Sequence, residues 1–272
     1  MHLPIVSLQH FNIVVDDYSV AVEHLQNVFG AHVNYQLDPA HLSEGVKAGL
    51  ITIGPVIFQF MGAAPHSKNA FRRKLDRSGP GYIGIEFEVG NLDQAREAAK
   101  QNDIRVKYDR GPFFVTDPRD CFGFAVECYA GEWFNNPPDP RMTPVAPKSY
   151  WANEHPLGIV GLYGFTVAVQ DREAAAARWT AVSGAERLND GIDGEPLWMS
   201  AADTRLGLVD TSDGEQILAA RLEVRDIGQT SRALAAKGLK LEEIRKGLMA
   251  APAAENHGVR IEFVETTAPA VS

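Results

Sequence analysis

Short runs of alternating apolar and polar residues recur along the chain and predict β-strands. The first run, residues 7–15, is rich in β-branched residues, which is typical of a half-buried strand. Asp16 or Asp17 can cap the helical pattern that follows, and Gly30 can end it. Three more strands are predicted at 31–36, 46–53 and 56–62, with a turn at Gly54-Pro55. This order is one βαβββ unit.

The same order is predicted three more times. The second unit has a strand at 82–89, a helix at 92–102 and strands near 104–108, 112–116 and 123–129; the third runs from 158 to 212, with a helix at 171–183, and the fourth from 216 to 265. A constant offset of 154 residues takes Phe11 to Phe165. A constant offset of 135 residues takes Glu127 to Glu262. We therefore predict that the chain arose by duplication.

Four βαβββ units predict an α+β fold of two tandem domains within the 272 residues. We place an N-terminal domain at 1–132 and a C-terminal domain at 158–272. The proline-rich segment 133–157 is predicted to be a linker that packs its aromatic residues on the protein surface. The polar, basic segment 63–80 is predicted to be a solvated loop or short helix; the alternative is a docking site for an anionic tail such as a CoA phosphate.

Composition narrows the class of protein. The formal net charge of −9 argues against nucleic acid or an anionic membrane as partner. No apolar run reaches the roughly 18 residues of a membrane helix, and the first residues do not resemble a signal peptide. Cys121 and Cys128 are interpreted as reduced thiols. We therefore expect a cytoplasmic protein that binds a small molecule, either alone or as a homodimer.

Polar residues that can bind a metal lie on predicted strands, on the face away from the helices. His10 and Asn12 share one side of the first strand, because strands alternate faces. Gln59 and Glu127 take the corresponding side of two other strands. Singly, each is more typical of a satisfied histidine or a polar residue on an exposed sheet face. Together, an imidazole, an amide and a carboxylate suit a metal or a polar ligand.

The βαβββ repeat, His10 in a first strand and Glu127 in a last strand after the Asp117-Pro118 turn resemble the vicinal oxygen chelate superfamily. It includes glyoxalase I, methylmalonyl-CoA epimerase, extradiol dioxygenases and bleomycin-resistance proteins. The resemblance implies two tandem domains with cupped mixed sheets. It places His10, Gln59 and Glu127 at the first, second and fourth metal-ligand positions. Glutamine at the second position is similar to the epimerase.

The chain departs from the family at two places in the first domain. The third ligand position, usually histidine, is Gly84, and the segment Val46-Lys47-Ala48 lacks the further catalytic glutamate of the epimerase. Glu86 lies two residues beyond Gly84 on the same face. It could replace the lost ligand through a shifted strand, act as a base, or be a salt-bridged surface carboxylate.

The second domain keeps even less of the ligand pattern. Its equivalent positions are Gly164, Gly207 or a neighbour, Ala219 and Glu262. Because no imidazole or thiolate remains in this set, we expect that domain to be structural.

The resemblance implies a glyoxalase- or epimerase-like metalloenzyme. A divalent cation, whether Co, Mn, Zn, Ni, Mg or Fe, would act as a Lewis acid that stabilises an enolate. This favours an isomerase, epimerase or lyase acting on a small oxygenated carbonyl compound, with Glu127 or Glu86 as the catalytic proton carrier. The predicted substrate contacts are Asn12, Tyr35, Tyr82, Tyr108, Phe114 and Tyr129.

Two other functions are compatible with the sequence. One is a metal-free small-molecule binding protein like the bleomycin-resistance members, which the glycine at the third ligand position favours. The other is an Fe(II) ring-cleaving dioxygenase, which the missing second histidine disfavours.

Overall fold

The computed structural model describes residues 1–37, 42, 45–131, 141–188 and 196–266. Two eight-stranded mixed sheets contain all the strands among these residues. The first half consists of β1 (Ile5–Val15), α1 (Tyr18–Phe29), β2 (His32–Gln36), β3 (Val46–Ile53), β4 (Val56–Ala63), α2 (Ala70–Ser78), β5 (Gly81–Val89), α3 (Leu92–Gln101), β6 (Val106–Asp109), β7 (Phe113–Thr116) and β8 (Ala125–Tyr129). Its sheet has the strand order β2-β3-β4-β1-β5-β8-β7-β6.

The second half repeats this plan. It consists of α4 (Lys148–Asn153), β9 (Ile159–Val169), α5 (Arg172–Ser183), β10 (Glu186–Arg187), β11 (Leu197–Ala201), β12 (Thr204–Asp210), β13 (Gln216–Val224), α6 (Ile227–Ala235), β14 (Glu242–Arg245), β15 (Leu248–Ala251) and β16 (Ile261–Glu265). Its sheet has the order β10-β11-β12-β9-β13-β16-β15-β14, the same topology as the first. The predicted α+β class and the fourfold βαβββ order are confirmed.

Matching caps start and end equivalent helices in the two halves. The Asp17 side chain accepts from the backbone N–H groups of Ser19 and Val20, and Gly30 ends α1 with φ 63°. In α5 the Asp171 side chain is the N-cap and Gly184, at φ 71°, is the C-cap. Because this left-handed conformation strains residues with a Cβ, glycine suits both ends. The caps therefore fix the length of each helix.

Two segments contain helices whose bounds the sequence did not define. The polar stretch 63–80 contains α2, which buries Leu75 alone. The predicted linker contains α4, whose Trp151 is fully buried, so this part of the segment contributes to a core. Residues 132–140, which include Trp133, lie outside the described residues. The predicted domain boundaries stay a prediction.

The chain forms two compact units. One comprises Met1–Ile13, Tyr82–Met142 and Gly164–Ala219; the other comprises Val14–Gly81, Thr143–Tyr163 and Ala220–Ser272. In the first unit, the ring of Phe11 packs edge-on against Tyr82 and Phe165. In the second, Trp151 packs against His155, with ring centroids 4.3 Å apart.

Within the units, the helices pack on sheet strands. Contacts join α1 to β3 and β4, α3 to β8, α5 to β11 and β12, and α6 to β16. Cys121 and Cys128 are buried free thiols, as predicted. Among the described residues, no helix is long and apolar enough to cross a membrane.

Candidate metal centre

Three strands of the first compact unit carry the candidate site. β1 supplies His10 and Asn12, which share a face because they are two residues apart. β5 supplies Glu86 and β8 supplies Glu127. These two strands are parallel, and Glu86 is the register partner of Glu127. Strand pairing therefore fixes the two carboxyl groups side by side.

His10, Glu86 and Glu127 together form a possible metal site. One ligand atom from each lies within 4.8 Å of the others, and among the described residues no other group of three or more His, Cys, Asp or Glu side chains meets this condition. His10 Nδ1 lies 3.3 Å from Glu86 Oε1. Both residues are buried, with relative exposures of 3% and 2%. The predicted ligands His10 and Glu127 thus come together, and Glu86 joins them.

Asn12 connects the histidine to the second carboxyl group. Its Oδ1 lies 3.1 Å from His10 Nε2, and its Nδ2 donates to Glu127 Oε2 over 3.4 Å. Asn12 is itself buried. The amide therefore has partners in the ligand set, and its predicted contact with substrate stays a prediction.

The buried charges make this group of residues a good environment for a cation. Burial, together with the negative charge of Glu86, raises the pKa of Glu127 to about 8. Burial alone would lower the pKa of His10, but the charge and hydrogen bond of Glu86, together with the charge of Glu127 and the hydrogen bond of Asn12, outweigh burial and raise that pKa. The site therefore attracts positive charge. One imidazole and two carboxylates also form a donor set that fits a divalent cation.

Gly84 lies where a larger side chain does not fit. A Cβ added there would lie 2.6 Å from the backbone oxygen of Ala125. A histidine at this position would therefore require a backbone shift. The register between β5 and β8 is continuous from Gly84 to Glu88. Glu86 thus reaches Glu127 without the strand shift that the sequence suggested.

Two other predicted site residues, Gln59 and Tyr35, lie on strands of the second compact unit. Gln59 lies on β4, in the second compact unit; it is half-buried and is the register partner of Leu50. Tyr35, also half-buried, is the register partner of the same Leu50. Their roles as metal ligand and substrate contact stay predictions.

The remaining predicted aromatic residues lie in the first of the two compact units. Tyr82 is buried against Phe11, and Tyr108 is 50% exposed on β6. Phe114 is fully buried near Arg96 of α3. Tyr129, half-buried on β8, has a raised pKa because of burial and the negative charge of Glu86. Tyr129 thus has an electrostatic link to the site.

A separate polar cluster on β1 and β5 was not predicted. Glu88 Oε2 accepts from Ser7 Oγ at 2.9 Å and from Gln9 Nε2 at 3.1 Å. Gln9 is buried, with 2% exposure. The Gln9 amide and the Glu88 carboxylate are thus hydrogen-bonded to each other, as buried polar groups generally are. The sequence signal for this cluster was the presence of polar residues at 7, 9 and 88, on the same strands as His10 and Glu86.

The second half has an arginine at the position equivalent to Glu86. Arg221 on β13 is the register partner of Glu262 on β16, as Glu86 is of Glu127. Both are buried, and Arg221 Nε and Nη2 each lie 2.9 Å from Glu262 Oε2. The guanidinium of Arg221 thus neutralises the carboxylate of Glu262, the residue at the equivalent ligand position of the second domain. The offset of 135 residues, which takes Glu86 to Arg221, could have revealed this pair.

The first ligand position of the second half is also closed to a side chain. Gly164 has φ 157°, and a Cβ there would lie 2.5 Å from the backbone oxygen of Arg205. Because an L-residue would be strained and would clash, no imidazole can replace this glycine without local rearrangement.

Comparison with solved structures identifies the fold. A variant of 4-hydroxymandelate synthase from Streptomyces coelicolor matches with a TM-score of 0.78 and 12% identity, covering 97% of this chain and 94% of its own. A xylose isomerase-like TIM barrel/4-hydroxyphenylpyruvate dioxygenase fusion protein matches with a TM-score of 0.69 and 11% identity, covering 100% of this chain and 50% of its own. Methylmalonyl-CoA epimerase from Mycobacterium tuberculosis matches 48% of this chain and 92% of its own, with 20% identity and a TM-score of 0.43.

No protein-family model and no curated protein sequence matches the chain. The likeness therefore defines the architecture, which is the vicinal oxygen chelate fold in two tandem copies. The residues of the site must carry the argument about function.

Proposed function

We propose that His10, Glu86 and Glu127 hold a divalent metal cation and that the site transfers a proton next to a carbonyl group of a small oxygenated substrate. The protein would then be an isomerase, epimerase or lyase. The observation that carries this proposal is the close grouping of an imidazole and two carboxyl groups, with one donor atom of each within 4.8 Å of the others and with His10 and Glu86 buried.

The donor set favours some metals over others. One nitrogen and two oxygen donors suit Mn²⁺, Fe²⁺, Co²⁺ or Zn²⁺, whereas Ca²⁺ and Mg²⁺ prefer oxygen alone. Gln59 remains a proposed additional ligand. Three or four protein ligands leave coordination positions open for two adjacent oxygen atoms of a substrate.

The cation, when bound, would supply Lewis acidity that stabilises negative charge on a carbonyl oxygen. Glu127 is the proposed proton carrier because it lies at the site and because, in the metal-free protein, burial and the negative charge of Glu86 raise its pKa to about 8, so that it holds a proton more readily than an exposed carboxyl group does. Glu86 and His10 hold their mutual position through the 3.3 Å contact of Nδ1 with Oε1. His10 and Glu86 are buried and Glu127 is half-buried, which limits the access of water to the proton being moved.

Hydrogen exchange tests the chemistry without knowledge of the natural substrate. Metal-loaded protein is incubated in D₂O with 2-oxo acids, 2-hydroxy ketones and acyl thioesters, and deuterium next to the carbonyl is followed by NMR. We expect exchange with at least one class, a loss of 10²-fold or more in Glu127→Gln, and near-normal exchange in Glu88→Gln. Metal-loaded protein that exchanges none of these compounds would contradict the proposed reaction.

A second candidate is oxygenation that depends on Fe²⁺. The observation in its favour is the whole-chain likeness to a solved 4-hydroxymandelate synthase. The donor set differs from the two histidines and one carboxylate typical of non-haem iron oxygenases. Oxygen uptake by Fe²⁺-loaded protein with aromatic 2-oxo acids, without deuterium exchange, would favour this candidate over the isomerase.

A further inference from the structure

Two histidines lie against each other in the second compact unit, which does not contain the candidate metal centre. His24 is on α1, and His257 follows the short 3₁₀ helix Ala253–Glu255, just before β16. Their ring centroids are 5.0 Å apart, and the ring planes are inclined by 78°. Two imidazoles that share a tetrahedral cation, with metal–nitrogen bonds of about 2.0–2.1 Å, have centroids roughly 5 Å apart. The spacing of the two rings therefore suits a shared cation.

Two buried polar atoms at this place lack a hydrogen-bond partner. They are His24 Nε2 and Asn256 Oδ1, and neither has a partner among the described residues. Asn256 is only 1% exposed. Its Nδ2 donates to the Val259 backbone oxygen at 2.7 Å, which fixes the amide and leaves Oδ1 on the other side. Because buried polar atoms are normally hydrogen-bonded, two such atoms require an explanation.

Both Asn256 and His257 act on the imidazole of His24. The pKa of His24 is lowered, chiefly by burial and then by the charge of His257, while the side chain of Asn256 acts in the opposite direction. The amide is therefore close to this ring, although its Oδ1 forms no hydrogen bond. Two imidazole rings and one amide oxygen thus lie together. Imidazole is a ligand that suits Zn²⁺, Cu²⁺ and Ni²⁺.

The equivalent place in the first unit shows that the fold does not require a pair of histidines. The offset of 135 residues takes Phe122 to His257, and both residues are left-handed, with φ 53° and φ 50°. The offset of 154 residues takes His24 to Arg178. Phe122 packs against Trp179, with ring centroids 6.3 Å apart. Because phenylalanine adopts the same turn, the backbone conformation does not explain the histidine.

We propose that His24, His257 and Asn256 bind a divalent transition cation through two imidazole nitrogens and the amide oxygen. Zn²⁺, Cu²⁺ and Ni²⁺ suit this donor set, whereas Mg²⁺ and Ca²⁺ favour oxygen ligands alone. The cation joins α1 to the segment that precedes β16, near the other end of the chain. Since the unfolded chain does not hold these ligands together, binding stabilises the folded second unit. The site is structural and is independent of the reaction proposed above.

Calorimetric titration with Zn²⁺ counts the cations that each variant binds. His257→Phe removes one imidazole and gives the turn the residue that the equivalent turn of the first unit has. His66→Phe is the matched control, because it makes the same change at an exposed histidine of the same unit. We expect the number of Zn²⁺ ions per chain to fall by one in His257→Phe and to stay unchanged in His66→Phe, whether or not the candidate metal centre binds zinc. Excess Mg²⁺ should not displace this ion.

His24→Gln is a second test, made from the α1 side of the site, where glutamine is a good helix former. It should lose the same Zn²⁺ ion, and Zn²⁺ should raise the Tm of the wild type more than that of either variant. The proposal is overturned if the wild type binds no Zn²⁺, or if folded His257→Phe or His24→Gln binds as many ions as the wild type. Loss of an ion in His66→Phe as well would indicate adsorption at surface histidines and would also overturn it.

Discussion

Glu86 and Glu127 are register partners on neighbouring parallel strands, so the fold itself holds two carboxyl groups together. Two ionised carboxylates in a buried place repel each other, and one tends to stay protonated unless a cation is present. In the first half, the imidazole of His10, 3.3 Å from Glu86 Oε1, offsets part of this repulsion. In the second half, an arginine replaces one carboxylate altogether.

The stability of the metal-free protein should fall as pH rises. The pKa of Glu127 is raised from 4.5 to about 8, so the unfolded chain loses this proton at lower pH than the folded protein does. Ionisation between these values therefore favours unfolding. The raised pKa of His10 acts in the same direction, because the stabilisation that its proton provides is lost above that pKa.

Thermal unfolding in the presence of a chelator, between pH 5 and about 9, measures this effect. The melting temperature of Glu127→Gln should depend less on pH than that of the wild type, and Glu88→Gln should follow the wild type. Equal slopes for Glu127→Gln and wild type would show that Glu127 does not titrate as described.

Metal affinity should change with pH in the opposite sense. A cation must displace protons from His10 and Glu127, so binding becomes tighter as the solution becomes more basic. Each displaced proton contributes about tenfold per pH unit below its pKa. Calorimetric titration with Co²⁺ at pH 6, 7 and 8 should therefore show affinity rising at least tenfold per unit at the acidic end. Affinity independent of pH would exclude these two ligands.

Restoring histidine at position 84 should damage the protein instead of improving the site. A Cβ at Gly84 would lie 2.6 Å from the Ala125 backbone oxygen, whereas one at Gly90 would have no neighbour closer than 3.8 Å. We expect Gly84→Ala to cost about 1–3 kcal/mol, clearly more than Gly90→Ala. Urea unfolding measures both. Equal costs would show that β5 and β8 can separate easily at this point.

Arg221 and Glu262 should depend on each other for stability. Removing Arg221 leaves the buried Glu262 carboxylate without its guanidinium partner, although Arg260 Nε still lies 3.2 Å from Glu262 Oε1. Arg221→Met should therefore cost about 3 kcal/mol, whereas the double variant Arg221→Met/Glu262→Met should cost about 1 kcal/mol or less. Chemical denaturation measures the difference. A double variant less stable than the single one would show that the ion pair itself stabilises the fold.

Periodicity and caps were sufficient to predict the repeated architecture. The alternation in the first strand, the caps Asp17 and Asp171 and the terminal glycines Gly30 and Gly184 all depend on local sequence. Local signals of this kind survive duplication, which made the offset of 154 residues visible. The fold was therefore predictable from the chain alone.

The site was predictable only in part, because strand register depends on long-range packing. His10 and Glu127 stand on recognisable strands, but nothing local shows that Glu86 faces Glu127. The close approach of Gly84 to Ala125 is equally invisible in sequence. This is why a shifted strand was suggested where the structure has a regular one.

The central claim is that His10, Glu86 and Glu127 bind one cation. The most direct test is an anomalous difference map at the zinc absorption edge, from crystals of untagged protein equilibrated with Zn²⁺. The account predicts one strong peak per chain at this site, about 2 Å from a His10 nitrogen and from an oxygen of each carboxylate. A map with no peak between these three side chains at saturating Zn²⁺ would contradict it.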